Sequence, residues 1–260
     1  MGKVVPPVPE VHRVPDVQPA SHVLLDGVSK RYGTVDILRE VCVDVPARRR
    51  VGLIGVNGAG KTTLLRILAG LASPDSGAVR LVEEGGATRP LTSRDLALVP
   101  QAKPLFPVLT AAEHLALAAG MNRGCWDGDL PQRWLRDFGV PADRPAGRLS
   151  GGERSQLAIA LALGRQVPVL LMDEPFAELD PLARDDATTA LAEHVTRSGR
   201  TLLVSSHVIA DVERLCDRIV VLTHGRVVLS GDTGDLLAGP GERSLSDVVL
   251  PVLRSHREAR

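Results

Sequence analysis

The sequence predicts an α/β fold built on a mostly parallel sheet, and two observations support this class. Three short apolar runs, "RRRVGLIG", "VPVLLMD" and "TLLVSSH", have the length of buried strands, and a helical stretch follows each of them. Strands that alternate with helices favour a parallel sheet covered by helices on both faces. A later segment, "RIVVLTHGRVVLSG", predicts a β-hairpin with His224 and Gly225 near its turn.

The segments around these strands predict further parts of the chain. Residues 1–20 contain five prolines and little periodic apolar content, which indicates a flexible tail ahead of a main domain at 21–239. Alternating runs from Ser21 to Ala47 predict antiparallel strands, and hence an N-terminal antiparallel β subdomain. Within the main domain, residues of about 104–165 predict an inserted α-helical subdomain. Residues 240–260 predict a C-terminal tail or a short helix.

Composition excludes several classes of protein. Lys plus Arg and Asp plus Glu are both 31, so the chain has no overall basic charge and no nucleic acid partner is expected. The three cysteines are far apart and form no CxxC pair, which argues against disulfides and a zinc site and favours a reducing compartment. No apolar run approaches the roughly 20 residues that cross a bilayer. A cytoplasmic protein is expected, and any membrane association requires another subunit.

The stretch "GVNGAGKT" follows the first buried strand and precedes a helix, and it fits the pattern G-x-x-x-x-G-K-[ST]. Its glycines let backbone N–H groups converge on phosphate oxygens. Lys61 is expected to contact the β and γ phosphates of ATP, and Thr62 to coordinate Mg²⁺. The fold class thus becomes a P-loop NTPase core. The predicted phosphate-binding residues are Gly55, Asn57, Gly58, Ala59, Gly60, Lys61, Thr62 and Thr63.

Two adjacent carboxylates end the buried strand "VLLMD" and supply the remaining chemistry. Asp173 is expected to hold the Mg²⁺ hydration shell. Glu174 is expected to orient and polarise the water that attacks the γ-phosphate.

The stretch "LSGGERSQLAIALALGR" indicates a second phosphate-binding surface. Ser150 and Glu153 have the spacing of a capping box, which explains both residues structurally. The cap does not explain Gly151 and Gly152, because a glycine weakens a helix by about 1 kcal/mol relative to alanine. The P-loop already surrounds its own nucleotide, so we expect this surface to act on the nucleotide held by another copy.

The motifs "GVNGAGKTT", "LVPQ", "LSGGE", "VLLMDEP", "ELD" and "SSH" occur in one order, and together they resemble the ATP-binding cassette subunits of ABC transporters, of the single-cassette bacterial type. The resemblance covers about Ser21 to Asp232.

This resemblance assigns further roles. It implies that Tyr32 stacks on adenine, although a strand-end tyrosine is the alternative. It also implies that Gln101 completes the Mg²⁺ shell and senses the transmembrane partner, that Asp180 bridges the dimer interface, and that His207 hydrogen-bonds the γ-phosphate. By the same resemblance, the residues expected to cap the γ-phosphate of the opposite copy are Ser150, Gly151 and Gly152.

One residue departs from the family's pattern. Glu178 stands where the family often has a small residue, and it either perturbs interface packing or faces solvent. The essential carboxylate, Glu174, is present, so both sites of a homodimer are expected to hydrolyse ATP.

The function expected from the resemblance is an ATPase that uses ATP and Mg²⁺ and drives transport. Two cassettes, as a homodimer or with a paired cassette subunit, close head-to-tail and act on separate permease subunits at the inner face of the cell membrane. The ending "SLSDVVLPVLRSHREAR" is loosely similar to the C-terminal helix of export-type subunits, so export is expected. The alternatives are a soluble ABC-type ATPase in cluster assembly or DNA repair, and a P-loop kinase.

Overall fold

The computed structural model describes residues 22–83, 85–238 and 244–258, and its strands form two sheets. The predicted tail at 1–20 and Ser21 lie outside the described residues, as do 239–243 of the linker to the C-terminal segment.

The first sheet has four strands in the order β2-β1-β4-β5, and every neighbouring pair is antiparallel. Buried and exposed residues alternate along β2, as expected for a strand with one face on the core and the other toward water. The N-terminal antiparallel sheet predicted by the sequence is therefore confirmed. Its strands are β1 His22–Tyr32, β2 Val35–Val45, β4 Ser76–Val82 and β5 Thr88–Pro90.

The second sheet has six strands in the order β10-β9-β3-β8-β7-β6. All neighbours are parallel except the hairpin partners β9 and β10. His224 and Gly225 form the hairpin turn, with φ angles of 46° and 74°, so the predicted hairpin is confirmed. The strands are β3 Arg50–Ile54, β6 Leu96–Val99, β7 Val169–Asp173, β8 Thr201–Ser206, β9 Arg218–Thr223 and β10 Arg226–Asp232.

Helices cover this mostly parallel sheet. Helix α1 buries Leu64, Leu65, Ile67 and Leu68 in a core that it shares with both sheets. A second core lies under α4, α5 and α6. The helices are α1 Lys61–Leu68, α2 Ala111–Met121, α3 Asp129–Asp137, α4 Gly151–Gly164, α5 Pro181–Ser198, α6 Ile209–Leu215, α7 Thr233–Leu237 and α8 Leu245–Glu258.

Helices α2, α3 and α4 lie between strands β6 and β7 along the chain and pack together. The indole of Trp134 donates a hydrogen bond to Gln156 Oε1 at 2.8 Å and so joins α3 to α4. Trp126 lies so close to Gly164 that a Cβ there would be 2.6 Å from its ring. Both tryptophans therefore act as packing residues of this helical region.

The C-terminal segment contains helix α8, which buries Leu245 and Val249 in the core under α6. None of the helices in the described ranges combines the length and the apolar character that a bilayer crossing requires.

A half-buried histidine on α5 predicts acid sensitivity of the fold. Burial lowers the pKa of His194 to about 4, and the nearby charges of Arg200 and Arg197 act in the same direction. Below the ordinary value of 6.5 the unfolded chain binds a proton that the folded chain does not, so stability is lost as the pH falls from 6.5 toward 4.

We expect wild type to lose up to about 2 kcal/mol more than His194→Gln between pH ~7.5 and pH ~5. Urea unfolding at the two pH values measures this difference. Equal losses in both proteins would contradict the assignment to His194.

Candidate functional site

The P-loop connects strand β3 to helix α1, as the sequence predicts. Gly58 and Gly60 have φ angles of 80° and 106°, which non-glycine residues rarely adopt. A Cβ on Gly55 would be 2.4 Å from the carbonyl oxygen of Leu222. These glycines are required both by backbone conformation and by the close approach of other chain segments.

The turn of the β9–β10 hairpin packs against the P-loop and is hydrogen-bonded to it. The N–H of Gly225 donates to the carbonyl of Ala59 at 3.2 Å, and the carbonyl of Gly225 accepts from the N–H of Arg39 at 2.8 Å. A Cβ on Gly225 would be 2.3 Å from the carbonyl oxygen of Ile37. The turn therefore fixes the base of the loop against both sheets.

Lys61 is the first residue of α1, and its ammonium group is buried. The Nζ atom donates to the carbonyl oxygen of Gly55 at 2.7 Å and lies 3.8 Å from Glu174 Oε1. Burial lowers the pKa of Lys61 from its ordinary value, and the carboxylates of Glu174 and Asp173 act in the opposite direction. The ammonium is thus held between the first residue of the P-loop and the Glu174 carboxylate.

Asp173 and Glu174 are both buried at the end of β7, and Glu174 has a φ of 50° that turns its side chain away from the strand. Glu174 Oε2 lies 2.8 Å from Nδ1 of His207, whose imidazole is about half-exposed. Lys61, Glu174 and His207 come from three separate segments and meet in one cluster. A carboxylate between an ammonium and an imidazole suits the polarisation of a water molecule.

Ser205 at the end of β8 is a site residue that the sequence reasoning missed. Its hydroxyl donates to Asp173 Oδ1 at 2.6 Å and accepts the N–H of Glu174 at 3.0 Å. Asp173 and Ser205 are register partners in the sheet. A hydroxyl at the end of a buried apolar strand was the available signal, but only His207 of "SSH" was singled out.

Helix α4 begins within the "LSGGE" motif, as predicted. Ser150 Oγ accepts the N–H of Glu153 at 3.1 Å, and Glu153 Oε2 accepts the N–H of Ser150 at 2.7 Å, so the capping box is confirmed. The capping box leaves Gly151 unexplained, but a contact from another segment of the chain gives a structural reason for it. A Cβ there would be 2.4 Å from Glu178 Oε2, so the glycine makes room for that carboxylate.

The remaining predicted residues lie apart from the Lys61 cluster. Tyr32 ends β1 with its side chain exposed, and Lys30 Nζ lies 5.4 Å from its ring centroid. Gln101 is exposed in the turn after β6. Asp180 caps α5, where Oδ1 accepts the N–H groups of Leu182 and Ala183 at 3.0 Å each. Within the described residues, no contact joins these three to Lys61 or Glu174, and their assigned roles stay predictions.

The residues present fit Mg²⁺. Thr62 is an exposed residue in the first turn of α1, and the buried carboxylate of Asp173 ends β7, which only β8 separates from β3 in the sheet. Hydroxyl and carboxylate oxygens are the ligands that Mg²⁺ prefers. Among the described residues no group of three His, Cys, Asp or Glu side chains forms a metal cage.

A P-loop at the carboxyl edge of a mostly parallel sheet, with buried carboxylates beside it, defines a nucleoside triphosphatase of the α/β class. The sequence pattern of the ABC transporter family matches residues 38–177. The chain therefore belongs to the ABC transporter family, as a single-cassette ATP-binding subunit with ATPase activity.

Curated relatives agree. The chain is 33% identical over 222 residues to the thiamine import ATP-binding protein ThiQ of Jannaschia sp. (strain CCS1), covering 84% of this chain and 96% of the relative. It is 36% identical over 201 residues to ThiQ of Escherichia coli O157:H7, covering 75% and 86% of the two chains.

Solved structures show the same fold. An ATP-binding subunit of an ABC transporter superposes with a TM-score of 0.75 at 30% identity, over 88% of this chain and 98% of that one. The dimeric bacterial ABC transporter cassette MJ0796 superposes with a TM-score of 0.71 at 25% identity, over 81% and 98%. A further structure of MJ0796 is a dimeric post-hydrolysis state bound to ADP and Pi.

The position of Ser205 generates a prediction. Ser205→Ala removes the hydroxyl that donates to Asp173 and accepts the N–H of Glu174, and that N–H keeps its 3.2 Å bond to the Ser205 carbonyl. Because the position of the Asp173 carboxylate is then less restricted, we expect kcat for ATP hydrolysis to fall about tenfold. ATP binding is expected to change little, since the P-loop is intact. Steady-state ATPase assays and nucleotide titration measure the two quantities.

Ser198→Ala is the matched control, because that hydroxyl bonds only to the local carbonyl of Val195. A wild-type kcat in Ser205→Ala would show that the hydroxyl has no positioning role.

Proposed function

We propose that this subunit binds Mg·ATP in a head-to-tail pair of cassettes and drives transport through separate permease subunits. The observation that carries the proposal is a cluster at the carboxyl edge of the parallel sheet. In it, Glu174 Oε1 lies 3.8 Å from Lys61 Nζ, and Glu174 Oε2 lies 2.8 Å from His207 Nδ1. This cluster can bind and hydrolyse a triphosphate, and hydrolysis can be coupled to movement only if a second surface senses the terminal phosphate.

The proposed chemistry uses the chain's own groups. The P-loop N–H groups and the Lys61 ammonium bind the β and γ phosphates, and the N-terminal end of α1 adds a favourable dipole. Glu174 polarises the attacking water, and His207 holds the Glu174 carboxylate through Nδ1. The other ring nitrogen of His207 is the group that we propose to hydrogen-bond the γ-phosphate. Thr62, Asp173 and Gln101 hold Mg²⁺, which neutralises charge on the phosphates when bound.

The second surface is the start of α4. Ser150, Gly151 and Gly152 are placed at a helix N-terminus, where free N–H groups favour an anion. We infer that they contact the γ-phosphate held by the opposite copy, with Asp180 at the interface and Tyr32 on the adenine. The MJ0796 cassette, which is 25% identical, is described as dimeric and supports this pairing.

The relatives also bear on partners and direction. The ThiQ proteins are named as the ATP-binding proteins of thiamine import, which supports permease partners and a position at the inner face of the membrane. Their names give no support to the expectation of export. The two cassettes close on ATP and reopen after hydrolysis in the same way for import and for export. The permease subunits therefore determine the cargo and the direction of transport. The soluble cluster-assembly and DNA-repair alternatives have no support in these relatives.

A hydrolysis-deficient variant tests the pairing. Glu174→Gln keeps the size of the side chain and removes the carboxylate that polarises water, so ATP is expected to bind and remain intact. We expect a stable ATP-bound dimer in size-exclusion chromatography with Mg·ATP. The double variant Lys61→Ala/Glu174→Gln is the control and should stay monomeric. A monomeric Glu174→Gln protein at saturating ATP would contradict the pairing.

Mixing two inactive variants tests whether the site is shared between copies. Lys61→Ala damages the P-loop, and Gly152→Asp places a negative charge at the start of α4, so each protein alone should hydrolyse little ATP. In a mixed pair, one of the two sites combines the intact P-loop of the Gly152→Asp copy with the intact start of α4 of the Lys61→Ala copy. We expect the mixture to recover about a quarter of the wild-type rate, since half of the pairs are mixed and each has one intact site. No recovery would place the whole site within one chain.

A further inference from the structure

The carboxylate of Glu178 lies where three chain segments meet. Glu178 Oε1 accepts a hydrogen bond from Lys103 Nζ at 3.0 Å, and Oε2 lies 3.7 Å from Arg154 Nη2. The Lys103 side chain is only 4% exposed, whereas that of Glu178 is 42% exposed. Glu178 is exposed, as one of the two sequence interpretations has it, and its carboxylate is also held by two basic side chains.

The bond to Lys103 fixes the turn that presents Gln101. The N–H of Lys103 donates to the carbonyl of Pro100 at 3.0 Å and closes the turn, and Lys103 has a left-handed φ of 45°. A buried ammonium without a counter-charge is strongly unfavourable. Loss of the Glu178 carboxylate would therefore draw Lys103 toward water and release the turn that carries Gln101.

The contacts on the other carboxylate oxygen fix the start of α4. Arg154 belongs to that helix, and its Nη1 donates a 2.9 Å hydrogen bond to the carbonyl of Leu149, the residue before the N-cap Ser150. Glu178 Oε2 fills the space that a side chain on Gly151 would need. The same carboxylate therefore contacts the helix end that we propose to face the partner's γ-phosphate.

Glu178 is joined to the catalytic carboxylate through two successive turns of backbone. The N–H of Ala177 donates to the carbonyl of Glu174 at 3.3 Å, and the N–H of Leu179 donates to the carbonyl of Phe176 at 3.1 Å. Only three residues lie between Glu174 and Glu178, so a shift of one can be transmitted to the other over a short, hydrogen-bonded path.

We propose that Glu178 is a positioning residue for ATP hydrolysis: through Lys103 and Arg154 its carboxylate sets the placement of the Gln101 turn and of the α4 N-terminus relative to Glu174. This inference rests on the proposed shared site. It assigns to this chain's departure from the family pattern a role in aligning the two halves of that site, not in binding nucleotide to the P-loop.

Glu178→Gln and Lys103→Met test the proposal. We expect each to lower kcat about tenfold while the affinity of the P-loop for a fluorescent ATP analogue stays within about twofold. Because both act through one ion pair, the double variant should be no more than about twofold slower than either single variant. Glu178→Asp keeps the charge and should recover part of the loss.

The matched control is Glu83→Gln, because Glu83 is 40% exposed and pairs with Arg89 on the distant antiparallel sheet. Its kcat should equal that of wild type. Melting temperatures of all variants separate misalignment from loss of fold, and a misaligned variant keeps its ATP affinity.

Three results would overturn the proposal: an unchanged kcat in Glu178→Gln, effects of Glu178 and Lys103 that multiply independently, or an equal loss in Glu83→Gln. Failure of the shared site is distinguished by the mixing experiment, which uses neither Glu178 nor Lys103. If mixing restores activity and Glu178→Gln is as fast as wild type, only the positioning role is wrong.

Discussion

The pairing of buried charges at the carboxyl edge of the parallel sheet is the constraint on which the site depends. Lys61 and Glu174 have side chains that are 7% and 9% exposed, and an isolated charge at that depth is unfavourable. Lys61 follows β3 and Glu174 follows β7, and a single strand, β8, lies between these two strands in the sheet. The strand order thus brings the ammonium after β3 to the carboxylate after β7, with Ser205 of β8 between them.

The parts of the fold and site that could be predicted are those with a local cause. Buried apolar runs identified β3, β7 and β8, the Ser150–Glu153 spacing identified the capping box, and the P-loop pattern identified the turn before α1. Strand β4 could not be recognised because most of its residues are exposed or half-buried and show no alternation. Strand β5 has three residues, which is too few for a periodic signal.

The contacts that the sequence could not supply are those between distant segments. Ser205 and Asp173 are 32 residues apart, and Lys103 and Glu178 are 75 residues apart. Gly151 shows the same limit from the other side. Its helix-weakening effect suggested a ligand, whereas the structure also shows the Glu178 carboxylate in the space that glycine leaves. A structural reason within the chain is therefore compatible with the role that we propose for this glycine on a partner's nucleotide.

The hairpin turn at His224 and Gly225 has a practical consequence for work with this protein. Exposed loop tips are the usual places for inserted tags, reporter domains and circular permutation. This tip is different, because Gly225 is bonded to Ala59 of the P-loop and to Arg39 of the antiparallel sheet. Residues inserted at this turn would disturb the hydrogen bond that Gly225 makes to the P-loop, so we expect insertions here to impair nucleotide binding.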